Sequence, residues 1–311
     1  MPNYLLFSGS ANPDLTAAIA GRLDLHVSPS RTERFPDGEM SLQLDEPVRG
    51  HSVFIVQSTS PPVTENVFQL LAFVDACRRA AAGRVTAVVP YFGYARSDKR
   101  HARREPIMAS MVAGLLQSVG LDHLVTLDLH TAQIEGFFHL PVDHLTAVPT
   151  ICDELKSRLQ PGTVVVSPDE GRVHMAGQYA QLLGLSTAVL HKQRESGTET
   201  RVVRVVGEVR NRPCLIIDDM ISTGGTIARA IEALLHEGAR PEITVAATHG
   251  VLVEGARAQL SHPGLREILI TDTVAPHHEH WPELRVVSVA PLLAAAIGHL
   301  ANRESISDLF K

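Results

Sequence analysis

Short apolar runs alternate along this chain with longer stretches in which apolar residues recur every three or four positions. In the first half the runs are residues 53–56, 85–89 and 124–127, and they read as buried strands. Val67, Leu70, Leu71 and Val74 predict an amphipathic helix between the first two. After Pro106, a second helix is predicted with Ile107, Met108, Met111, Val112, Leu115, Leu116 and Val119 on one face. The second half repeats the order with runs at 214–217, 243–247 and 267–270. There Ile227, Ile231, Leu234 and Leu235 mark a helix that stops at Gly238, and the next helix is shorter than its counterpart. Strands alternating with helices of this length predict an α/β fold built twice, each copy a mainly parallel sheet flanked by helices. The join is expected near residues 145–150, where Pro149 interrupts the chain. This gives domains at 1–147 and 148–291, with 292–311 a helix and tail returning to the first.

With 311 residues, two domains with real cores are the natural expectation. A net charge of −6 argues against a general binder of nucleic acid or of membrane surfaces. Residues 1–9 lack a basic, then long apolar stretch, so no signal peptide is expected, and polar residues and Pro291 break the apolar stretch at 286–300. Cys77, Cys152 and Cys214 are widely spaced within apolar patterns, as buried free thiols of a reducing cytoplasm would be.

The richest chemistry lies at 214–226. Asp218 and Asp219 are expected where the apolar strand ends, followed by Ser222, Thr223, Gly224, Gly225 and Thr226 at the start of the helix. A helix start offers unpaired N–H groups and partial positive charge to a phosphate, and glycines let the backbone approach it. Two carboxylates at the same place suit sugar hydroxyls, directly or through a metal ion. A phosphorylated sugar satisfies both halves of the motif. At the matching place in the first copy stand Gln57 and Ser58, so that copy has lost the acids and should serve another purpose.

Other candidates read two ways when taken singly. Phe35, Asp37, Gly38 and Glu39 form an aromatic, acidic turn that is also an ordinary hairpin tip. Residues 90–100 carry Tyr91, Phe92 and Tyr94 with Arg96, Ser97, Lys99 and Arg100, a pattern fit for single-stranded nucleic acid or for a triphosphate. His130 and Asp169 each follow a strand. Lys192 and Arg194 open a polar segment, 191–200, that predicts a mobile loop. His277, His278 and His280 stand beside Trp281 in an expected exposed loop before the last strand.

Taken together and in order, these pieces resemble the ribose-phosphate pyrophosphokinase family along nearly the whole chain: FPDGE at 35–39, PYFGYARSDKR at 90–100, DLH at 128–130, QIEGFFHLPVD at 133–143, SPD at 167–169, the Lys192/Arg194 segment, IIDDMISTGGT at 216–226 and ESIS at 304–307. The resemblance implies two phosphoribosyltransferase-type domains. It also implies transfer of the β,γ-diphosphoryl group of ATP to O1 of ribose 5-phosphate. In that reading the pentose phosphate lies at 222–226 with Asp218 and Asp219 near its hydroxyls, and His130 and Asp169 serve a Mg2+ ion. Phe35, Asp37, Gly38, Glu39, Arg96, Ser97 and Lys99 are implied on the ATP side. Lys192 and Arg194 are implied in catalysis, Arg194 also meeting the sugar phosphate. The family's acidic turn comes from a neighbouring subunit, which implies a homo-oligomer, dimer-based and hexameric. Ser97 stands where many members have Gln, Ser222 where Asp is frequent, and Glu170-Gly171-Arg172 where small residues are usual. The last departure, and the segment after Arg194, resemble the archaeal-type branch. A type I phosphoribosyltransferase would need only one such domain. A silent regulatory homologue would have no use for His130, Lys192, Arg194 and the acid pair together.

Overall fold

The computed structural model describes residues 4–310 apart from 101, 195–199 and 277–279, and describes 192–194 and 200–203 by their backbone alone. The chain divides into two compact units, one of residues 1–146, 273–275 and 288–311, the other of 147–272 and 276–287.

In the first unit β1 (Tyr4–Ser8) leads into α1 (Pro13–Arg22), which Asn12 caps by accepting the Leu15 N–H at 3.2 Å. β2 (Ser30–Arg34) and β3 (Met40–Leu44) form a separate antiparallel hairpin. Then follow β4 (Ser52–Val56), α2 (Val63–Arg79), β5 (Arg84–Val89), α3 (Met108–Ser118), β6 (His123–Leu127) and β7 (Val142–Leu145). The sheet order is β1-β4-β5-β6-β7, with every neighbouring pair parallel. β4, β5 and β6 are the three expected apolar runs, and their side chains are nearly all buried, as a sheet covered on both faces requires. α3 differs from expectation. Its buried stripe is Ala109, Val112, Ala113 and Leu116, while Met111 and Leu115 face outward and are 48% and 41% exposed. Small alanines let that stripe seat closely, so the bulkier Met and Leu are left on the outer side.

The second unit begins with α4 (Val148–Lys156), and Pro149 lies in its first turn. Expected to interrupt the chain, Pro149 instead helps start a helix, where its missing N–H costs nothing. β8 (Val164–Ser167), α5 (Val173–Leu183), β9 (Ser186–Arg194) and β10 (Thr200–Val206) come next. β11 (Cys214–Ile221), α6 (Gly225–His236), β12 (Ile243–Gly250), α7 (Ala256–Leu260), β13 (Leu265–Thr271) and β14 (Leu284–Val287) complete the unit. The sheet order is β10-β9-β8-β11-β12-β13-β14, parallel except at β9/β10. The chain leaves β8 toward β9 on one side and returns to β11 on the other. A reversal of this kind opens a crevice at the carboxyl ends of the two strands. α8 (Ala290–Ala301) belongs to the first unit, where it packs on α1. Both units share one plan: a strand, a hairpin, then four parallel strands in sequence order. This gives an α/β architecture of mainly parallel sheets flanked by helices.

Candidate active site

The crevice between β8 and β11 holds most of the predicted sugar-site chemistry. β11 pairs with β8 only over Cys214, Leu215 and Ile216, but stays paired with β12 as far as Ile221. Asp218 and Asp219 therefore lie inside β11 rather than at its end, on the stretch that β8 has already left. The β12 ladder explains the longer strand: it keeps the backbone extended through both acids. Ser222 and Thr223 follow, and Gly224 adopts φ +81 just before α6. A Cβ at Gly224 would lie 2.7 Å from the Leu260 side chain, so α7 and the positive φ together require glycine there. Val253 N–H donates to the Ser222 carbonyl at 3.1 Å, and Gly225 N–H points to Thr223 Oγ1 at 3.4 Å.

At the end of β8, Asp169 turns the chain, its carboxylate accepting the Gly171 N–H at 3.0 Å. Three residues after Asp169, Arg172 bridges the acid pair, Nε donating to Asp218 Oδ1 at 3.2 Å and Nη2 lying 3.0 Å from Asp219 Oδ1. Asp218 Oδ1 also accepts the Asp219 N–H at 2.9 Å. Burial pushes the Asp218 carboxyl well above its ordinary value and the charge of Asp219 pushes it further, while Arg172 opposes both. Glu170 reaches His191 on β9 (Oε1 to Nδ1, 2.8 Å), which ties the turn to the strand that carries Lys192 and Arg194. That strand corrects the expected loop. β9 runs through Arg194, pairing Lys192 with Val202 and Arg194 with Thr200, because an edge hairpin tolerates a polar sequence. Residues 195–199 lie outside the described residues, as do His277 and His278 of the histidine group. Arg172, which the sequence showed only as part of the departure at 170–172 and without a role, is the residue that joins the acid pair here. Its signal was a lone arginine three positions after the strand-end Asp169.

The first unit holds the remaining candidates. Residues 31–39 are exposed throughout, and the tip of the β2–β3 hairpin closes through Phe35 N–H to the Glu39 carbonyl at 2.8 Å. In the loop after β5, Tyr91, Phe92 and Ala95 are buried, and Phe92 meets Phe138 edge-on. Tyr91 and Phe92 are buried, and Tyr94 packs half-buried against the core with its hydroxyl 2.8 Å from Thr64 Oγ1, which leaves no row of open rings for a single-stranded nucleic acid to stack on. Arg96 and Lys99 are exposed, whereas Ser97 Oγ accepts the Met108 N–H at 3.2 Å at the start of α3. His130 follows β6, half-buried; its neighbour Thr131 donates to Asp98 at 2.7 Å, joining the histidine loop to the basic loop. Where the second unit has its acids, Gln57 is buried, accepting from Ala11 N–H at 3.1 Å and donating to Gln69 at 2.8 Å. A Cβ at Gly9 would lie 2.0 Å from the Gln57 carboxamide, so this close packing at the end of β1 requires glycine.

Comparison with known proteins matches the model of the N-terminal domain of ribose phosphate pyrophosphokinase over residues 4–120 and that of the phosphoribosyl synthetase-associated domain over residues 197–311. The chain is 43% identical to the ribose-phosphate pyrophosphokinase of Corynebacterium efficiens, covering 99% of this chain and 96% of that one. It is 44% identical to the enzyme of the same name from Maricaulis maris, covering 98% and 99%. A crystal structure of phosphoribosylpyrophosphate synthetase from Mycobacterium smegmatis superposes with a TM-score of 0.91 at 41% identity, covering 97% of this chain and 99% of that one.

Proposed function

The chain belongs to the ribose-phosphate pyrophosphokinase family, and on that premise we propose how its residues share the family reaction. That reaction moves the β,γ-diphosphoryl group of ATP to O1 of ribose 5-phosphate, giving 5-phosphoribosyl 1-diphosphate and AMP. O1 bonds to the β-phosphorus, the bond from that phosphorus to the α–β bridging oxygen breaks, and the hydroxyl proton is released. The crevice of the second unit takes the sugar. The 5-phosphate sits against Ser222, Thr223, Gly224, Gly225 and Thr226 at the amino end of α6, and the hydroxyls face Asp218 and Asp219. The observation that carries this reading is the meeting of the acid pair in β11 with the hydroxyl-lined loop that opens α6.

Phe35, Asp37, Gly38 and Glu39 take the adenine side, with Phe35, 47% exposed, available to stack. Arg96 and Lys99 balance the triphosphate, and Ser97 holds their loop onto α3. Lys192 and Arg194 at the end of β9 offset charge that develops on the β-phosphoryl group, and Arg194 also meets the sugar phosphate. Phosphoryl-type transfer rests on positioning and electrostatics of this kind.

Among the described residues no three His, Cys, Asp or Glu side chains cluster to hold a metal. Magnesium keeps its waters, takes few protein ligands and binds largely through nucleotide phosphates. His130 and Asp169 are the residues that would hold it, Asp169 already oriented by Gly171 N–H. When bound, the ion supplies positive charge to the triphosphate.

The family resemblance, in which the acidic turn serves a neighbouring subunit, is the reason for reading the enzyme as a homo-oligomer, dimer-based and hexameric; an exposed hairpin is compatible with that role. Three buried free cysteines suit a reducing cytoplasm. No helix among the described residues is long and apolar enough to cross a membrane. Phosphorus NMR of the purified chain with ATP, ribose 5-phosphate and magnesium tests the reaction. AMP and 5-phosphoribosyl 1-diphosphate are expected; accumulation of ADP would mean that only the γ group moves.

A further inference from the structure

Arg172 is the one cation whose contacts bridge both acids of the crevice among the described ion pairs. Its side chain is 14% exposed, that of Asp218 12% and that of Asp219 2%, so the three charges are largely withdrawn from water. A planar guanidinium holds two carboxylates at once and does not lose its proton, so its charge is permanent. Both contacts fall on Oδ1 atoms, at 3.2 and 3.0 Å, which is the bridging role a divalent ion would otherwise fill between adjacent carboxylates. Arg172 is also fixed from below. It closes the short turn whose first residue, Glu170, is held by His191, and it leads directly into α5.

We propose that Arg172 is a resident cation of the sugar site, which balances Asp218 and Asp219 so that ribose 5-phosphate binds there without a divalent ion. The proposal rests on the acid pair being the sugar site. A metal could enter between the acids only by displacing a guanidinium that is largely buried and paired with both, so the guanidinium stays when the sugar arrives. The acid pair then accepts sugar hydroxyls with one of its two negative charges offset. Magnesium is needed for the nucleotide half of the reaction and not for this one. Arg172 acts through the two aspartates, as a positioning residue.

The test is calorimetric titration of the intact chain with ribose 5-phosphate, without nucleotide, once in EDTA and once in millimolar magnesium. For the unaltered chain the two dissociation constants should agree within about threefold, since a fixed charge does the work of the ion. Arg172→Gln should bind at least about tenfold more weakly in EDTA and recover in magnesium, because removing one partner leaves buried charge uncompensated until another cation arrives. Arg172→Lys keeps the charge and should stay near the unaltered chain in both buffers; it also serves if the Gln variant does not fold. The proposal fails if the unaltered chain needs magnesium to bind the sugar, if Arg172→Gln binds normally in EDTA, or if that variant, melting normally, binds weakly in both buffers. A different result would sink the sugar-site reading itself: sugar binding that is left unchanged by Asp218→Asn.

Discussion

Gln69 Nε2 donates to Thr32 Oγ1 at 3.1 Å, while Gln69 Oε1 accepts from Gln57 at 2.8 Å and from Ser10 N–H at 2.9 Å. One buried amide thus ties the exposed hairpin to the carboxyl ends of β1 and β4. Thr32→Val preserves shape and removes the outer link. A neutral hydrogen bond is worth about 1 kcal/mol, so amide exchange in the hairpin should quicken by about fivefold. If the hairpin serves adenine, KM for ATP should rise by a similar factor while KM for ribose 5-phosphate stays put. Unchanged exchange would refute the anchoring, whereas faster exchange with an unchanged KM for ATP would refute the hairpin's nucleotide role.

The cations on β9 make a different prediction. If Lys192 engages the β-phosphoryl group chiefly in the transition state, Lys192→Ala should lower kcat by about 10²-fold or more with little change in KM, the scale of losing one transition-state donor. Arg194→Ala should lower kcat and also raise KM for ribose 5-phosphate. Steady-state kinetics with each substrate varied in turn would separate them. Purely KM effects from both substitutions would remove this segment from catalysis.

Asp218 predicts a pH dependence of stability. Burial first, then Asp219, raise its carboxyl from the ordinary 3.8 despite Arg172. A carboxyl with a raised folded pKa holds its proton more tightly when folded. Its contribution to stability is therefore fully present below the unfolded pKa and is lost as pH rises through the folded one. Asp218→Asn has no such loss. Its melting temperature, relative to the unaltered chain, should climb as pH is raised from about 4 toward neutrality, and its sugar binding should fall. Thermal melts across that range check this; a constant or shrinking difference would contradict it.

The six apolar runs were legible because a parallel strand buried on both faces has to be apolar at nearly every position. Their pairing order, β4-β5-β6 and β11-β12-β13, is given by the structure and matches their order along the chain. β9 and β10 were not legible, since an edge hairpin needs no apolar run and the segment at 191–200 reads as loop. The length of β11 was hidden for the opposite reason: two acids inside a strand look like its end unless the β12 ladder is seen beside them. Of the site, the loop at 222–226 showed itself through residue type and spacing. Arg172 did not, because its role depends on folding a turn after β8 against β11, 46 residues further on. The aromatics at 91–95 misled in a third way, since ring count along a loop says nothing of which rings are buried.

The exposed hairpin tip leads to a prediction about assembly. Phe35, Asp37 and Glu39 stand in a run, 31–39, that is exposed in the single chain, whereas the acid pair lies in the crevice of the second unit. If each active site joins the tip of one subunit to the sugar crevice of another, two inactive variants should complement each other. Mixing Glu39→Ala with Asp218→Ala would create some interfaces that pair an intact tip with an intact crevice. Part of the activity should return, up to about a quarter for random exchange when each site needs one tip and one crevice from different chains. A site built within one chain would leave every subunit with one defect, and mixing would restore nothing. Labelled subunits must first be shown to exchange, because a failure to exchange gives the same silence. With exchange demonstrated, silence would mean that the tip and the crevice of one chain serve the same site.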